Sequence, residues 1–334
     1  MKAGVIGVGT MGYGYAKILK KLRGIELVGL VDNNDKTLES VSKDFKVNAY
    51  NNAEEFFIKE KPDFIVISCP DEYHAKYALM ALERDINIHL EKPVADTLES
   101  CYEILGVSKK SKSKLNIGYI LRTLPQYHQI KQSCDAKKFG DIIHFYSRRN
   151  GTIDQGLRWQ GRTDLSTYLI CHDADIFMWI TGLKIDRVYG EETVRNLKHF
   201  NTHDSIQVVF KASDKSIGVF ECSWALPQNC NFSIDNRMEL IGTKEAAFIN
   251  LQDQGIHFYT EKGIVWNDMI FGGEIQNNFI IGALKNEVEL FIDSIINDRK
   301  VMCSVEEGIE ASKVAIATKL SIEKGEIVYL KDIE

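Results

Sequence analysis

The sequence predicts an α/β protein of two domains. Residues 1–120 read as a doubly wound, parallel-sheet domain, and residues 121–334 as an α+β domain with an open, mostly antiparallel sheet. Three observations predict it. The chain has 334 residues, two domains at the usual ~100–200 residues each. Up to residue 120, short apolar runs alternate with segments of helical period, as βαβ units require. Residues 185–260 are mostly extended, with no helix between the strands, which implies antiparallel neighbours.

Taken in order, Ala3 to Ile6, Glu26 to Val31, Phe64 to Ser68, Ile86 to Leu90 and Lys114 to Ile117 read as the parallel strands. Met11 to Leu22 reads as an amphipathic helix with Tyr15, Ile18, Leu19 and Leu22 on one side. Residues 73–84 repeat the pattern through Ala75, Tyr77, Ala78, Met80 and Ala81. After residue 120 a helix around Pro125 to Ser133 leads to a strand, Ile142 to Ser147, and then to a polar loop through Asn150, Gly151 and Gly156. A second helix runs from Thr167 to Ile180 and stops before Gly182. The extended segments are Ile206 to Ala212, Ile217 to Trp224, Phe232 to Ile241 and Ala247 to Leu251, and helices close the chain at about 277–297 and 305–324.

Composition excludes several classes. Apolar residues make 44% and charged residues 26% of the chain, which rules out disorder, collagen and coiled coil. A net charge of −6 from 41 basic and 47 acidic side chains does not suit a protein that coats nucleic acid or an anionic membrane. The seven cysteines are odd in number, widely spaced and without a C-x-x-C pair, so neither a disulfide framework nor a zinc site is expected. Reduced thiols point to a cytoplasmic location. The opening apolar run is too short for a signal peptide, and no stretch of about 18 apolar residues occurs. The N-x-S/T sites at Asn150 and Asn231 are then chance matches.

The chemistry begins at Gly7-Val8-Gly9-Thr10-Met11-Gly12, directly after the first strand and opening the first helix. In a dinucleotide-binding turn the first glycine makes the bend, the second admits the pyrophosphate and the third lets helix pack on strand. The anion then rests on the helix N-terminus. Asp32 ends the next strand 20 residues past Gly12, where a carboxylate bonds the adenosine ribose hydroxyls and repels a 2′-phosphate. No arginine follows it, so NAD is expected, with NADP the alternative. Further along come Ser68-Cys69-Pro70 with His74, and Glu91-Lys92-Pro93, all at carboxyl ends of predicted strands, the edge on which such sheets bind ligands. A lysine ammonium there can polarise or protonate a carbonyl.

In this order, G-x-G-x-x-G, C-P-x-x-x-H and E-K-P resemble the Gfo/Idh/MocA oxidoreductases, named for glucose–fructose oxidoreductase and inositol dehydrogenase. The resemblance continues through Gly118, Arg122-x-x-Pro125, Gly140-Asp141-Ile142, Arg148-Arg149-Asn150, His172-Asp173-Ala174-Asp175 and Gly242-Thr243-Lys244. It implies an N-terminal Rossmann dinucleotide-binding domain, a C-terminal α+β domain whose open sheet commonly serves as an oligomer face, and hence a homodimer or homotetramer. The expected cofactor contacts are Gly7, Gly9, Thr10, Met11, Gly12, Asp32, Cys69, Pro70, His74, Glu91, Lys92 and Arg122. The expected catalytic residues are Lys92, His172 and Tyr168, and the expected substrate contacts are Lys92, Arg149, Tyr168, His172 and Asp175.

His172 and Asp175, three apart on a helix, share a face, and an imidazole can take or give a hydroxyl proton near neutral pH. The family pattern has an aspartate four residues before this histidine; Tyr168 stands there in this chain. A tyrosine can orient the imidazole but supplies no negative charge, which puts the substrate class in doubt. Arg148 and Arg149 are strand neighbours pointing to opposite faces, so at most one can meet an anionic substrate. His199 and His203 lie four apart in a polar stretch off any helix, and no metal site is expected there. The implied activity is hydride transfer between a nicotinamide and a secondary alcohol or ketone of a sugar, sugar derivative or cyclitol. Its rivals are a redox-neutral enzyme that retains NAD and processes glycosides, and a non-catalytic NAD(P)/sugar sensor.

Overall fold

Residues buried on both faces dictate the first sheet. In a computed structural model, which describes residues 1–252, 257–261, 263–266, 273–275 and 279–333, β1 (Lys2–Ile6), β2 (Glu26–Val31), β3 (Asn48–Tyr50), β4 (Phe64–Ile67), β5 (Asn87–Glu91) and β6 (Leu115–Gly118) form one parallel sheet. Its order is β3-β2-β1-β4-β5-β6, so strand order reverses between β1 and β4. That reversal opens a crevice at the carboxyl edge, where such sheets receive ligands. The connecting helices are α1 (Thr10–Lys21), α2 (Asp35–Phe45), α3 (Ala53–Glu60), α4 (His74–Leu82) and α5 (Leu98–Ser108). The sequence reading lacked β3, whose three residues are too few to show a period.

Side-chain caps start three of these helices. Asn34 accepts from the Thr37 amide at 3.1 Å, Asn52 from the Glu54 amide at 2.8 Å and Thr97 from the Ser100 amide at 3.2 Å. Helix α1 differs: it opens on Gly9 with no side-chain cap and no acidic residue in its first turn.

The remaining elements follow in chain order: α6 (Pro125–Asp135), β7 (Ile142–Thr152), α7 (Ile153–Trp159), α8 (Cys171–Thr181), β8 (Ile185–Thr193), β9 (Ser205–Ala212), β10 (Ile217–Leu226), β11 (Ile234–Gly242), β12 (Ala246–Asn250), a hairpin of β13 (His257–Thr260) and β14 (Gly263–Trp266), a hairpin of β15 (Gly273–Ile275) and β16 (Phe279–Ile281), α9 (Ala283–Ile296), α10 (Val305–Lys324) and β17 (Val328–Tyr329). The second large sheet has the order β12-β11-β7-β10-β9-β8-β17. Only β7 and β10 pair in parallel within it. One face packs on α8 through Phe177, whose ring lies 5.3 Å from Phe145 and 4.8 Å from Phe210. Across the other face the ladder aligns Tyr189, Val209, Val219, Tyr146, Glu239 and Phe248 in one row.

The chain divides into two compact units, 1–123 with 270–309, and 124–269 with 310–334. Besides the residues before the expected cut after residue 120, the first unit takes in 270–309, with α9 and the first turn of α10. Three local expectations also change. The polar residues Asn150 and Gly151 continue β7, their backbone groups taken up by neighbouring strands, and Gly156 lies in α7 rather than a loop. The segment before α8 is a π-turn, Ser166–Ile170, in which the Cys171 amide reaches the Ser166 carbonyl. The penultimate helix starts at Ala283, since Phe279–Ile281 is extended; its expected start near 277 lies outside the described residues, as do 253–256 of the extended stretch. All seven cysteines are free thiols. Among the described residues no helix is long and apolar enough to cross a membrane.

Candidate active site

In the first unit the protein's own backbone demands glycine at two of the three positions of the turn and leaves open space at the third. Gly7 has φ +84°, and a Cβ there would meet the Cys69 amide nitrogen at 2.4 Å. At Gly12 a Cβ would fall 1.9 Å from the Gly7 carbonyl oxygen. Gly9 faces open space, with nothing within 4 Å of a built Cβ. The surroundings leave room against the backbone only at the second glycine, next to the uncapped N-terminus of α1. Exposed Thr10 and half-buried Met11 continue that rim. Free amide donors and the positive dipole end make this an anion site, so the residues present fit a dinucleotide pyrophosphate.

Asp32 closes the turn. Its Oδ2 accepts from the Val8 amide and its Oδ1 from the Asn34 amide, both at 2.8 Å. The carboxylate is thus held rigidly at the end of β2, half-buried and beside the glycine turn. Ser68 Oγ donates to the Gly7 carbonyl at 2.8 Å, tying the end of β4 to the same turn.

His74, expected to touch the cofactor, is 1% exposed and does something else. Its Nδ1 lies 2.8 Å from the Pro93 carbonyl and its Nε2 2.9 Å from the Cys69 carbonyl. The ring staples the Cys69-Pro70 loop to the Glu91-Lys92-Pro93 turn, whose Lys92–Pro93 bond is cis. Burial lowers the His74 pKa, although both carbonyls and Asp71 act to raise it. Pro70 is exposed, Lys92 is half-buried, and burial pushes the Cys69 thiol up to about 12, which removes it as a nucleophile at neutral pH. Glu91 turns inward and accepts from Tyr15 Oη at 2.6 Å.

Arg122 also departs from expectation. It is 2% exposed, and its Nη1 donates to the Met302 carbonyl at 2.8 Å and to Glu307 Oε1 at 3.0 Å. A guanidinium so enclosed braces the chain around α10.

The second unit places His172 on the first turn of α8, half-buried, with Asp175 one turn on and 1% exposed. Buried Asp175 presents no surface to a substrate in this structure. Arg149 reaches α8 from β7: Nε donates to Asp173 Oδ2 at 3.1 Å and Nη2 to Oδ1 at 2.8 Å. Both partners are buried, so the Arg149 charge, expected to meet substrate, is taken up by Asp173. Its positive charge is matched by a carboxylate that sequence reasoning did not single out. Arg148 does point to the opposite face, to Glu221 at 3.1 Å and Asp235 at 3.4 Å.

Tyr168 sits on the π-turn, a feature frequent at functional sites. Its ring lies 5.0 Å from Trp159 and 5.8 Å from Trp224. Asp164 anchors the turn, accepting from the Thr167 amide at 3.0 Å and Lys319 Nζ at 3.1 Å. Burial opposes charge on Asp164, yet Lys319 and the Thr167 amide hold its carboxyl below the ordinary range. The aromatic pair around Tyr168 was not anticipated; Trp159 lies in a segment to which the sequence reading assigned no element. His203 Nδ1 is hydrogen-bonded to Glu192, and among the described residues no three His, Cys, Asp or Glu side chains are grouped to hold a metal.

Comparison with known proteins places this geometry. A family model described as an oxidoreductase family with an NAD-binding Rossmann fold matches residues 1–119, and a GFO/IDH/MocA C-terminal domain model matches residues 127–248. The scyllo-inositol 2-dehydrogenase (NAD(+)) of Bacillus subtilis is 25% identical over 276 residues, covering 79% of this chain and 78% of that protein. An uncharacterized oxidoreductase of Streptococcus pneumoniae is 23% identical over 229 residues, 66% of this chain but 62% of its own length. The fold matches scyllo-inositol dehydrogenase from Lactobacillus casei, solved with bound NAD(H) and scyllo-inositol, with a TM-score of 0.85, 21% identity and 99% of each chain covered. With both its domains matched in order, the chain belongs to the Gfo/Idh/MocA oxidoreductase family.

Proposed function

We propose that the protein is an NAD-dependent dehydrogenase acting on a secondary alcohol of a cyclitol, sugar or sugar derivative. One observation carries the reading: the open glycine turn with Asp32 and the Glu91-Lys92-Pro93 turn share the carboxyl edge of one parallel sheet. When bound, NAD supplies the hydride acceptor, and the protein's part is positioning and proton handling. The glycine turn receives the pyrophosphate. Asp32 bonds the ribose hydroxyls and disfavours a 2′-phosphate, which selects NAD over NADP. Lys92 Nζ bonds the substrate oxygen and stabilises charge developing on it. His172 takes the hydroxyl proton as general base, and Tyr168, backed by two indoles, orients the substrate hydroxyls where the family pattern has an aspartate.

The inositol dehydrogenases among its relatives favour a cyclitol. A panel of scyllo-inositol, myo-inositol, polyols and aldoses with NAD or NADP, read by absorbance of the reduced nicotinamide, tests this. Stoichiometric NADH formation with a cyclitol or sugar is expected. Turnover of a glycoside without net NADH would replace the reading with the redox-neutral one, and no turnover at all with the sensor.

A homo-oligomer completes the proposal. The sheet row that carries Val209 and Phe248, 52% and 68% exposed, is a largely apolar face of the kind that marks an interface. Sedimentation as a 38 kDa monomer at micromolar concentration would refute it.

A further inference from the structure

Beneath the Glu91-Lys92-Pro93 turn lies a closed polar cluster from four elements of the first unit: Tyr15 on α1, His89 and Glu91 on β5, Asn116 on β6 and Glu287 on α9. Tyr15, His89, Asn116 and Glu287 are each at most 1% exposed. None of their roles follows from NAD binding or from hydride transfer.

Hydrogen-bond counting fixes where the protons sit. The Cys303 amide can only donate, and it lies 3.0 Å from Asn116 Oδ1. This sets the amide orientation and points Asn116 Nδ2 at His89 Nδ1, 3.0 Å away. His89 Nδ1 is therefore an acceptor, and the ring carries its proton on Nε2. That N–H faces the Tyr15 oxygen at 3.2 Å and Glu287 Oε2 at 3.5 Å. The phenol has one proton to donate and two carboxyls beside it: Glu91 Oε1 at 2.6 Å and Glu287 Oε2 at 3.1 Å. One phenol proton serves only one of the two carboxyls, and the His89 N–H, 3.5 Å from Glu287 Oε2, is too far for a good hydrogen bond, so a proton on one carboxyl, donated to the Tyr15 oxygen, best satisfies the cluster. Glu287 Oε1 has no hydrogen-bond partner among the described residues, an arrangement a buried carboxylate does not tolerate well.

The geometry points to Glu91 and Glu287 as a carboxyl pair that shares one proton across the Tyr15 hydroxyl, which makes Tyr15 and Glu287 positioning residues for the Glu91-Lys92-Pro93 turn. Two further observations agree. Burial, then the neighbouring Glu287, pushes the Glu91 carboxyl up, with the Tyr15 hydrogen bond and Lys92 acting in the opposite sense. Burial, then the two carboxyls, holds the Tyr15 phenol protonated far above its ordinary range. The shared proton limits the charge under Lys92 to one carboxylate, and the short bond to Tyr15 holds the end of β5 in place. The importance of this for turnover rests on the role proposed for Lys92; the proton itself does not.

The test needs no substrate. Infrared spectra of the full chain in D₂O near pH 7 should show a carboxylic-acid carbonyl band that disappears in Glu287→Gln, whose amide still donates to Tyr15. In parallel, the rate of reductive methylation of Lys92, followed by peptide mass spectrometry, should change by about threefold or more in Glu287→Leu and return towards the wild-type rate in Glu287→Gln. Absence of the band from the wild type, or its persistence unaltered in Glu287→Gln, overturns the shared proton. Equal Lys92 labelling rates in wild type and Glu287→Leu overturn the positioning role. Both readouts stand whatever the protein turns over, so a wrong reading of its activity is not confused with a wrong reading of this cluster.

Discussion

Arg149 grips Asp173 with two nitrogens of its guanidinium, at 3.1 and 2.8 Å, in a site where neither side chain is more than 6% exposed. Asp173 immediately precedes Ala174 and follows His172, so this fork fixes the first turn of α8 against β7. Tyr127 and the Cys222 thiol complete the surroundings of the pair.

Truncating Arg149 to alanine leaves the Asp173 carboxylate buried and uncompensated. A loss of about 3–5 kcal/mol of stability is expected, the cost usual for breaking such a pair. Arg149→Lys should recover only part of it, since an ammonium cannot reproduce the two-point geometry. Urea unfolding measures both; a loss under about 1 kcal/mol for Arg149→Ala would show that the pair is dispensable.

His74 links folding to pH. Its pKa is lowered by burial, so the unfolded chain binds a proton here before the folded one does. Stability is then fully present above the unfolded value of about 6.5 and declines as pH falls below it. Denaturation of wild type and His74→Gln at about pH 8 and about pH 5.5 should show the wild type losing more on acidification. Parallel losses would mean that the staple titrates like a free histidine.

Replacing Asp32 with serine removes the anchor of the Val8 and Asn34 amides together with the charge that repels a 2′-phosphate. The ratio of kcat/KM for NAD to that for NADP should fall by about tenfold or more, a change of about 1.4 kcal/mol in relative binding. A wild type that already prefers NADP would contradict the reading of the end of β2.

Lys92→Ala and His172→Ala should each lower turnover by about 10²–10⁴, the range for acid–base groups, with NAD affinity little changed. Tyr168→Phe keeps the ring between Trp159 and Trp224 and deletes one hydroxyl. A loss comparable to that of His172→Ala assigns the tyrosine a catalytic part; a change within about threefold assigns it to packing. Near-normal turnover in Lys92→Ala would remove the lysine from the proposed mechanism.

The sequence by itself determined what depends on neighbours along the chain. The parallel strands, the helix opening at Gly9 and the placing of Asp32 and Lys92 at strand ends were legible because period, turn chemistry and glycine requirements act over a few residues. Short β3 and the continuation of β7 through Asn150 and Gly151 were not, since a strand is stabilised by its partners and polar residues join one when the ladder takes up their backbone groups. Side-chain fate was decided in three dimensions alone. His74, Arg122, Arg149 and Asp175 all carry groups that suit a ligand, yet the fold buries them, and the two arginines have protein partners: Arg122 is held by Glu307 and Arg149 by Asp173, 185 and 24 residues away. Glu287 reaches Tyr15 across 272 residues. Residue type and spacing specify which chemistry a chain can offer; which groups face solvent and which neutralise each other depends on partners that only the tertiary fold brings within hydrogen-bond range.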